Sequence, residues 1–350
     1  MSQKVLGIDI GSYSVKISEI EQTYRGFQLV NFYERLITHN DLLSREESVA
    51  ATLQKVVEDF ALTPDVVFAA LPGSLTASRT LEFPFSNLKK IDAALEFEME
   101  NYLPFGLDEL AIDYHVVESS KQKSSVLVSY ARKSELVKLL SIFDHLPFEP
   151  SFVGSEPIEL GNLLHLGLSQ PEGAYAMINL GHEKTEVTVF QGPKLCYTRT
   201  LLVGGRKITE QIAKDLGVPF EEAEKIKIEL GQLSENLEGL DEMGQKVTLS
   251  IRKVMDNLIS ELKQTFFAFQ EEAKGEVVQA LYLCGGTSRL PGMDQFFSYR
   301  LRKNVSFLDP LDFSFNRLAD SAWCRPIVAT ALSLAIRSAI GGKLPDIQFR

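Results

Sequence analysis

The sequence predicts an α/β protein built as two related lobes. Apolar, strand-like runs alternate with helical stripes along the whole chain, as where Val49, Leu53, Val56, Val57 and Phe60 precede the short run Val66 to Leu71. A length of 350 residues points to about two domains. Finally, Gly7-Ile8-Asp9-Ile10-Gly11-Ser12 superposes on Met177-Ile178-Asn179-Leu180-Gly181-His182 at an offset of 170 residues. Each segment is an apolar strand, an Asp or Asn, one apolar residue and a turn glycine, followed by a second strand. The repeat predicts two lobes that each present a hairpin turn to a shared cleft.

The elements follow in order. Val5 to Ile10 reads as a buried strand, Gly11-Ser12 as a turn, Val15 to Ile20 as an alternating strand and Phe27 to Ile37 as a third. Ser48 to Phe60 has helical spacing, and Val66 to Leu71 is a strand closed by Pro72-Gly73. A smaller unit spans 79–146: a strand at Thr80 to Phe83, a helix at Ile91 to Tyr102 stopped by Pro104, a strand at Val126 to Tyr130 and a helix at Lys133 to Leu146. A second sheet begins at Tyr175, with Ala176 to Leu180 and Glu186 to Gln191 as a hairpin around Gly181-His182. Residues 207–273 are mostly helical. There Ile251, Met255, Leu258, Leu262, Phe266 and Phe269 form an apolar stripe that reads as core packing. Val277 to Leu283 is a strand entering Gly285-Gly286.

Composition excludes several classes. With 45% hydrophobic and 24% charged residues the chain is neither disordered nor fibrous. A net charge of -11 argues against a nucleic-acid-coating surface, which needs clustered Lys and Arg. It does not exclude one phosphate-bearing ligand held by backbone N–H groups and a metal ion. Cys196, Cys284 and Cys324 are too scattered for a disulfide framework or a metal knuckle, so a reducing cytosol is expected. No signal peptide or membrane span is expected: the most apolar stretch, Ile327 to Ile340, is short and carries Arg337.

No Gly-x-Gly, Walker A, HExxH or GxSxG motif occurs, and His39, His115, His145, His165 and His182 show no ligand spacing. Three turns remain. In Gly7 to Lys16, the glycine turn lets N–H groups approach phosphate oxygens, Ser12 and Ser14 offer hydroxyls, and Asp9 suits a water of a magnesium ion. An ordinary hairpin with a solvated Asp is an equal reading. Asn179 to Thr185 is the second turn; neutral Asn179 orients water weakly and cannot act as a base. Leu283 to Gly292 delivers Gly285-Gly286 before a helix, which lets a flat ring lie against the backbone. Gly204-Gly205 precedes a helix containing Ile208, Thr209 and Ile212. Glu224 and Lys227 share a helical face, where a surface ion pair is the plainer reading and a clasp on ribose or adenine the alternative.

In order, these segments resemble the actin-like (ribonuclease H-like) ATPase superfamily, in the branch of FtsA and, nearer still, the PilM family of type IV pilus assembly. The carriers are Gly7 to Lys16, Ile178 to Thr185, Gly204-Gly205, Glu224 with Lys227, Gly285-Gly286-Thr287, and Ala329 with Ala331. The PilM-like part is more specific: Ala70-Leu71-Pro72-Gly73-Ser74, Glu82-Phe83-Pro84, Glu96-Phe97-Glu98, Tyr102-Leu103-Pro104-Phe105, Asp113-Tyr114 and Ala131-Arg132-Lys133.

The resemblance implies an actin-like fold of two lobes and four subdomains. These are 1–78 with 147–172 and 327–343; an inserted 79–146; 173–206 with 276–326; and 207–275. It implies ATP and Mg2+ as ligands, with Gly11, Ser12, Tyr13, Ser14, Lys16, Gly181, His182, Thr185, Gly204, Gly205, Glu224, Lys227, Gly285, Gly286, Thr287 and Arg289 toward the nucleotide. Asp9 and Asn179 would face the metal. Asn179 stands where the family has Asp, which the resemblance implies weakens hydrolysis more than binding; Asp9, Asn179 and Glu156 are the catalytic candidates. The implied role is a cytoplasmic ATP-binding scaffold recruited to the inner face of the cytoplasmic membrane. Mg-ATP sets the lobe arrangement, and the N-terminal cytoplasmic segment of a PilN-like membrane protein docks near Glu96, Tyr102, Leu103, Pro104 and Phe105. An assembly motor ATPase and further copies of the chain are other implied partners. The alternatives are a GspL-like cytoplasmic component of type II secretion, with GspL- or GspM-like partners, and an actin-like phosphotransferase or ATPase with real turnover.

Overall fold

The computed structural model describes residues 2–38, 42–100, 102–103, 106–166, 172–308, 326–340 and 347–349. These fall into two compact units, one holding 2–166 and 330–349, the other 172–308 and 326–329.

In the first unit β1 (Gln3–Ile10), β2 (Ser14–Thr23) and β3 (Gly26–Leu36) form an antiparallel meander. Helix α1 (Arg45–Asp59) starts at a reciprocal cap. Ser44 Oγ accepts the Glu47 N–H at 3.2 Å and the Glu47 carboxylate accepts the Ser44 N–H at 2.7 Å, an arrangement worth about 1 kcal/mol. Its buried stripe, Val49, Leu53, Val56 and Val57, lies over β2 and β3. Strand β4 (Val66–Leu71) returns parallel to β1.

The chain then builds β5 (Thr76–Phe83), α2 (Leu88–Glu100), β6 (Leu110–Ser119), β7 (Ser124–Arg132) and α3 (Lys133–Ser141). These strands make a separate antiparallel sheet ordered β5-β7-β6. Leu81, Phe83, Val126 and Val128 pack there against Ile91, Leu95 and Met99 of α2. Strand β8 (Phe152–Ser155) adds parallel to β4, giving the main sheet the order β3-β2-β1-β4-β8, and α4 (Glu156–Glu159) follows directly.

The second unit repeats that plan. Strands β9 (Ala174–Leu180), β10 (Thr185–Gln191) and β11 (Lys194–Leu201) form the meander. Helices α5 (Gly205–Leu216), α6 (Phe220–Leu230) and α7 (Glu242–Glu272) come next. Then β12 (Val278–Cys284), α8 (Met293–Leu301) and β13 (Asn304–Phe307) complete a sheet ordered β11-β10-β9-β12-β13. The apolar stripe of α7 is core, as its spacing predicts: Ile251, Met255, Leu258 and Leu262 are fully buried. The repeat reaches well beyond the six residues legible in the sequence. The ladder slips between Glu19 and Ile20 in one meander and between Val189 and Phe190 in the other, at the same offset.

Helices α9 (Ala329–Ala335) and α10 (Arg337–Ile340) return to the first unit. Gly7 of β1 faces α9 so closely that a Cβ would run into the Ala331 carbonyl and the Ala335 N–H. Arg337 clamps the buried Glu159 carboxylate through both oxygens at 2.7 and 2.8 Å, and its guanidinium lies 3.6 Å over the Phe152 ring. The Phe349 N–H donates to the Val153 carbonyl of β8 at 2.9 Å and the Gln348 N–H to Asp113 of β6 at 2.8 Å, fastening the last described residues to both strands.

Several expectations shift. The strand expected from Thr80 begins at Thr76, and the helix expected to Leu146 ends at Ser141, where the chain turns. Strands β6, β8, β11 and β13 were not anticipated. Pro104, Phe105, His39, Cys324 and residues 341–343 lie outside the described residues.

Candidate functional site

The β1–β2 turn of the first unit is closed by the Gly11 N–H donating to the Ser14 carbonyl at 3.2 Å. Register pairs Asp9 with Lys16 across the ladder, and the Lys16 ammonium reaches the buried Asp9 carboxylate at 3.1 Å. Burial works against the Lys16 charge, but Asp9, with Glu34 and Glu156 behind it, outweighs that and holds its pKa above the ordinary lysine range. Ser14 Oγ donates to Glu34 at 2.8 Å. Ser12 and Tyr13 are half-buried in the turn. Glu156 opens α4, half-buried, as a helix-start acid should.

In the second unit, residues far apart in sequence converge. The Gly181 N–H closes the β9–β10 turn on the Lys184 carbonyl at 2.9 Å, the counterpart of Gly11 on Ser14. The Gly205 N–H donates to the Gly181 carbonyl at 3.0 Å and the Arg206 N–H to the His182 carbonyl at 2.7 Å, so the start of α5 is laced to that turn. Thr287 Oγ1 donates to the same Gly181 carbonyl at 2.7 Å, bringing in the turn after β12. Thr185 Oγ1 donates to the Val203 carbonyl at 2.7 Å. Close approach demands the glycines: a Cβ on Gly205 would meet Thr287 Oγ1 at 2.6 Å and one on Gly204 the Gly181 carbonyl oxygen at 2.6 Å. Gly285, at φ +86°, has no room for a Cβ beside the Asn179 amide oxygen.

Glu224 and Lys227 are not a surface pair. Lys227 Nζ donates to Glu224 at 2.7 Å, to Thr209 Oγ1 at 2.8 Å and to the Gly205 carbonyl at 3.2 Å, and Thr209 also bonds Glu224. The Lys227 side chain is only 12% exposed, because α6 packs it against the first turn of α5. Burial draws its pKa down, against the pull of Glu224. His182 is half-buried, and desolvation with the nearby Lys227 charge keeps its imidazole below its usual pKa and so neutral at pH 7. Gly286 is exposed with open space beside it, and Arg289 is exposed at the end of the same turn.

Asn179 is the penultimate residue of β9 and is buried, and its Nδ2 donates at 3.2 Å to Glu186, which register places opposite it on β10. Glu186 is 1% exposed and is also paired with the Lys184 ammonium. Sequence reasoning passed over Glu186; the offset that pairs Asp9 with Asn179 also pairs Lys16 with Glu186. Among the described residues no group of three or more His, Cys, Asp and Glu could hold a metal alone.

In the inserted sheet, Glu96 and its neighbour Phe97 are exposed on α2, and the Arg79 guanidinium lies 4.0 Å over the half-exposed Tyr102 ring. Leu103 packs on the apolar core beneath.

The family model for the type IV pilus assembly protein PilM matches residues 7–339. The chain belongs to the PilM type IV pilus assembly family. A solved PilM-PilN type IV pilus biogenesis complex is similar over 96% of this chain and 98% of that chain, with a TM-score of 0.82 at 22% identity. MreB5 of Spiroplasma citri bound to ADP is similar over 97% of each chain, with a TM-score of 0.50 at 11% identity. FtsA of Bacillus subtilis is 23% identical over 60% of this chain and 50% of its own, so the match spans half the length of that relative. PilM family membership and the likeness to PilM and MreB structures make the fold actin-like.

Proposed function

We propose that this PilM-family chain is an ATP-binding scaffold of the type IV pilus assembly apparatus, which docks the N-terminal cytoplasmic segment of a PilN-like inner-membrane protein. The observation carrying the nucleotide half is the convergence on the β9–β10 turn of Gly204-Gly205, Thr287 and the buried Thr209–Glu224–Lys227 cluster. Glu224 offers a carboxylate to ribose hydroxyls, and Lys227 keeps it in place. Gly286 leaves a flat base room against the backbone, and the N–H groups around Gly181 suit phosphate oxygens, as do those around Gly11 within the first unit. Magnesium would supply charge neutralisation for the phosphates. Within the second unit the Asn179–Glu186 pair fits it, and within the first Asp9 does, since that ion takes one or two carboxylates and keeps its remaining waters. The likeness to a structure bound to ADP supports the ligand class. A neutral Asn179 favours holding over turnover.

The partner half rests on family membership and the likeness to a PilM-PilN complex. Among the described residues no helix is long and apolar enough to cross a membrane, so a membrane partner would carry the chain to the bilayer's inner face. Nucleotide alters partner docking only if it binds two arrangements of the chain unequally.

The test is a titration with a fluorescent ATP analogue of the wild type and Gly286→Val. Among the described residues a Cβ at Gly286 meets only Ile327 Cγ2 at 3.9 Å, an ordinary contact, so the variant is expected to keep the fold. The expected result is saturable wild-type binding, weakened at least about tenfold in the variant with an unchanged melting temperature. No saturable wild-type binding would overturn the nucleotide reading. A PilN-like N-terminal peptide should bind the wild type and lose affinity in Tyr102→Ala; equal affinity would remove the insert from the interface.

A further inference from the structure

The two hairpin turns superpose residue for residue, yet their charges are arranged differently. In the first, the acid is the penultimate residue of the first strand and the cation stands opposite it on the second: Asp9 with Lys16 at 3.1 Å. In the second, the penultimate residue of the first strand is the amide Asn179, the acid stands opposite it on the second strand as Glu186, and the cation sits in the turn as Lys184, the position of Ser14. A carboxylate has crossed the ladder. Burial to 1% exposure makes the cost of an ionised Glu186 depend on a cation, and Lys184 and the Asn179 amide are what β9 and the turn provide. The strand positions flanking Glu186 are occupied otherwise, since Thr185 Oγ1 bonds the Val203 carbonyl and Val187 is apolar core.

We infer that Glu186, across the ladder from Asn179, is the second unit's metal-facing carboxylate, which exchanges the Lys184 ammonium for the divalent cation that accompanies a nucleoside triphosphate. The inference rests on the ATP reading above. The exchange is a swap of one cation for another on an unchanged carboxylate, with no bond made or broken; Lys184, released from Glu186, then faces phosphate oxygens from the turn. Neutral Asn179 suits this role, since two carboxylates side by side in so buried a place would repel each other and one would take up a proton. A magnesium ion needs no cage of three protein ligands, which agrees with the absence of one among the described residues.

The experiment measures the affinity of the fluorescent ATP analogue with excess chelator and across a magnesium series, for the wild type, Glu186→Gln, Asn179→Asp/Glu186→Gln and Lys184→Met. In the wild type magnesium should strengthen binding about tenfold or more. Glu186→Gln, which frees the Lys184 ammonium without metal, should bind the metal-free analogue at least as tightly as the wild type and lose that gain. The double variant, which moves the carboxylate back across the ladder, should recover most of it. Lys184→Met, which removes the competing ammonium, should lower the magnesium midpoint severalfold, and it keeps the test open if Glu186→Gln folds poorly. An unchanged magnesium gain in Glu186→Gln, or an unchanged midpoint in Lys184→Met, would make Glu186 a structural anchor and overturn the inference while leaving ATP binding intact. A wild type that binds but gains nothing from magnesium would overturn it too. A wild type that binds no analogue with or without metal would instead overturn the ATP reading.

Discussion

Gly7 has no side chain because the far end of the chain needs the space. Helix α9 crosses β1 there, and any Cβ would press on the Ala331 carbonyl. Gly7→Ala should therefore cost about 1–3 kcal/mol through overpacking. Chemical denaturation should register that loss, and an unchanged midpoint would mean that α9 shifts freely. That Gly7 matters was legible from its motif; the reason was not, because the resemblance assigns the C-terminal helix to the subdomain of β1 without saying which of its residues exclude a Cβ there. Glu186 was illegible for a related cause. In β10 it alternates with apolar neighbours as any solvent-facing strand residue would, and only the ladder shows that Asn179 and Lys184 enclose it. Glu224 and Lys227 misled in the opposite sense: three-residue spacing fits a surface pair, and only the packing of α6 on α5 encloses them.

Among elements, α5 and α7 are pinned by a polar contact at Asp215. Its carboxylate accepts from Ser250 Oγ at 2.7 Å and from the Lys253 ammonium at 2.8 Å. Partial burial works against its charge, but those donors prevail and lower its pKa to about 2. A carboxyl depressed in the folded state contributes stability above its unfolded value and loses it as pH falls. Asp215→Asn should thus cost about 1–2 kcal/mol at pH 7. The gap from wild type should close between the ordinary aspartate pKa of 3.8 and about 2; a gap that persisted at the acid end would point to packing instead of charge. The elements legible in sequence were those with long apolar periodicity, α1, α7, β1 and β4. Strand β8 has four residues, and the half-exposed β6 and β11 mix charged with apolar residues, so neither length nor alternation announced them. Pairing with β4, β7 and β10 makes them strands.

On the scale of the whole molecule, the two units are unequal in continuity. The second holds both its meander and its helices within 172–308 and takes back only 326–329, whereas the first needs 330–349 to cover β1 and flank β8. A chain cut before Thr330 should keep slow amide exchange in β9, β10 and β12 and lose it in β1 and β8, as read by hydrogen exchange with mass spectrometry. Protection retained in β1 would contradict the role given to α9. The matching ladder slips at Glu19/Ile20 and Val189/Phe190 carry a historical consequence. A bulge is a specific local irregularity, and neither strand's hydrophobic pattern calls for one at that residue. Its return at the same offset along β2 and β10, with the extra residue carried by the outer strand in both, at Val30 and at Cys196, is what duplication of one segment would leave behind after the side chains had drifted apart.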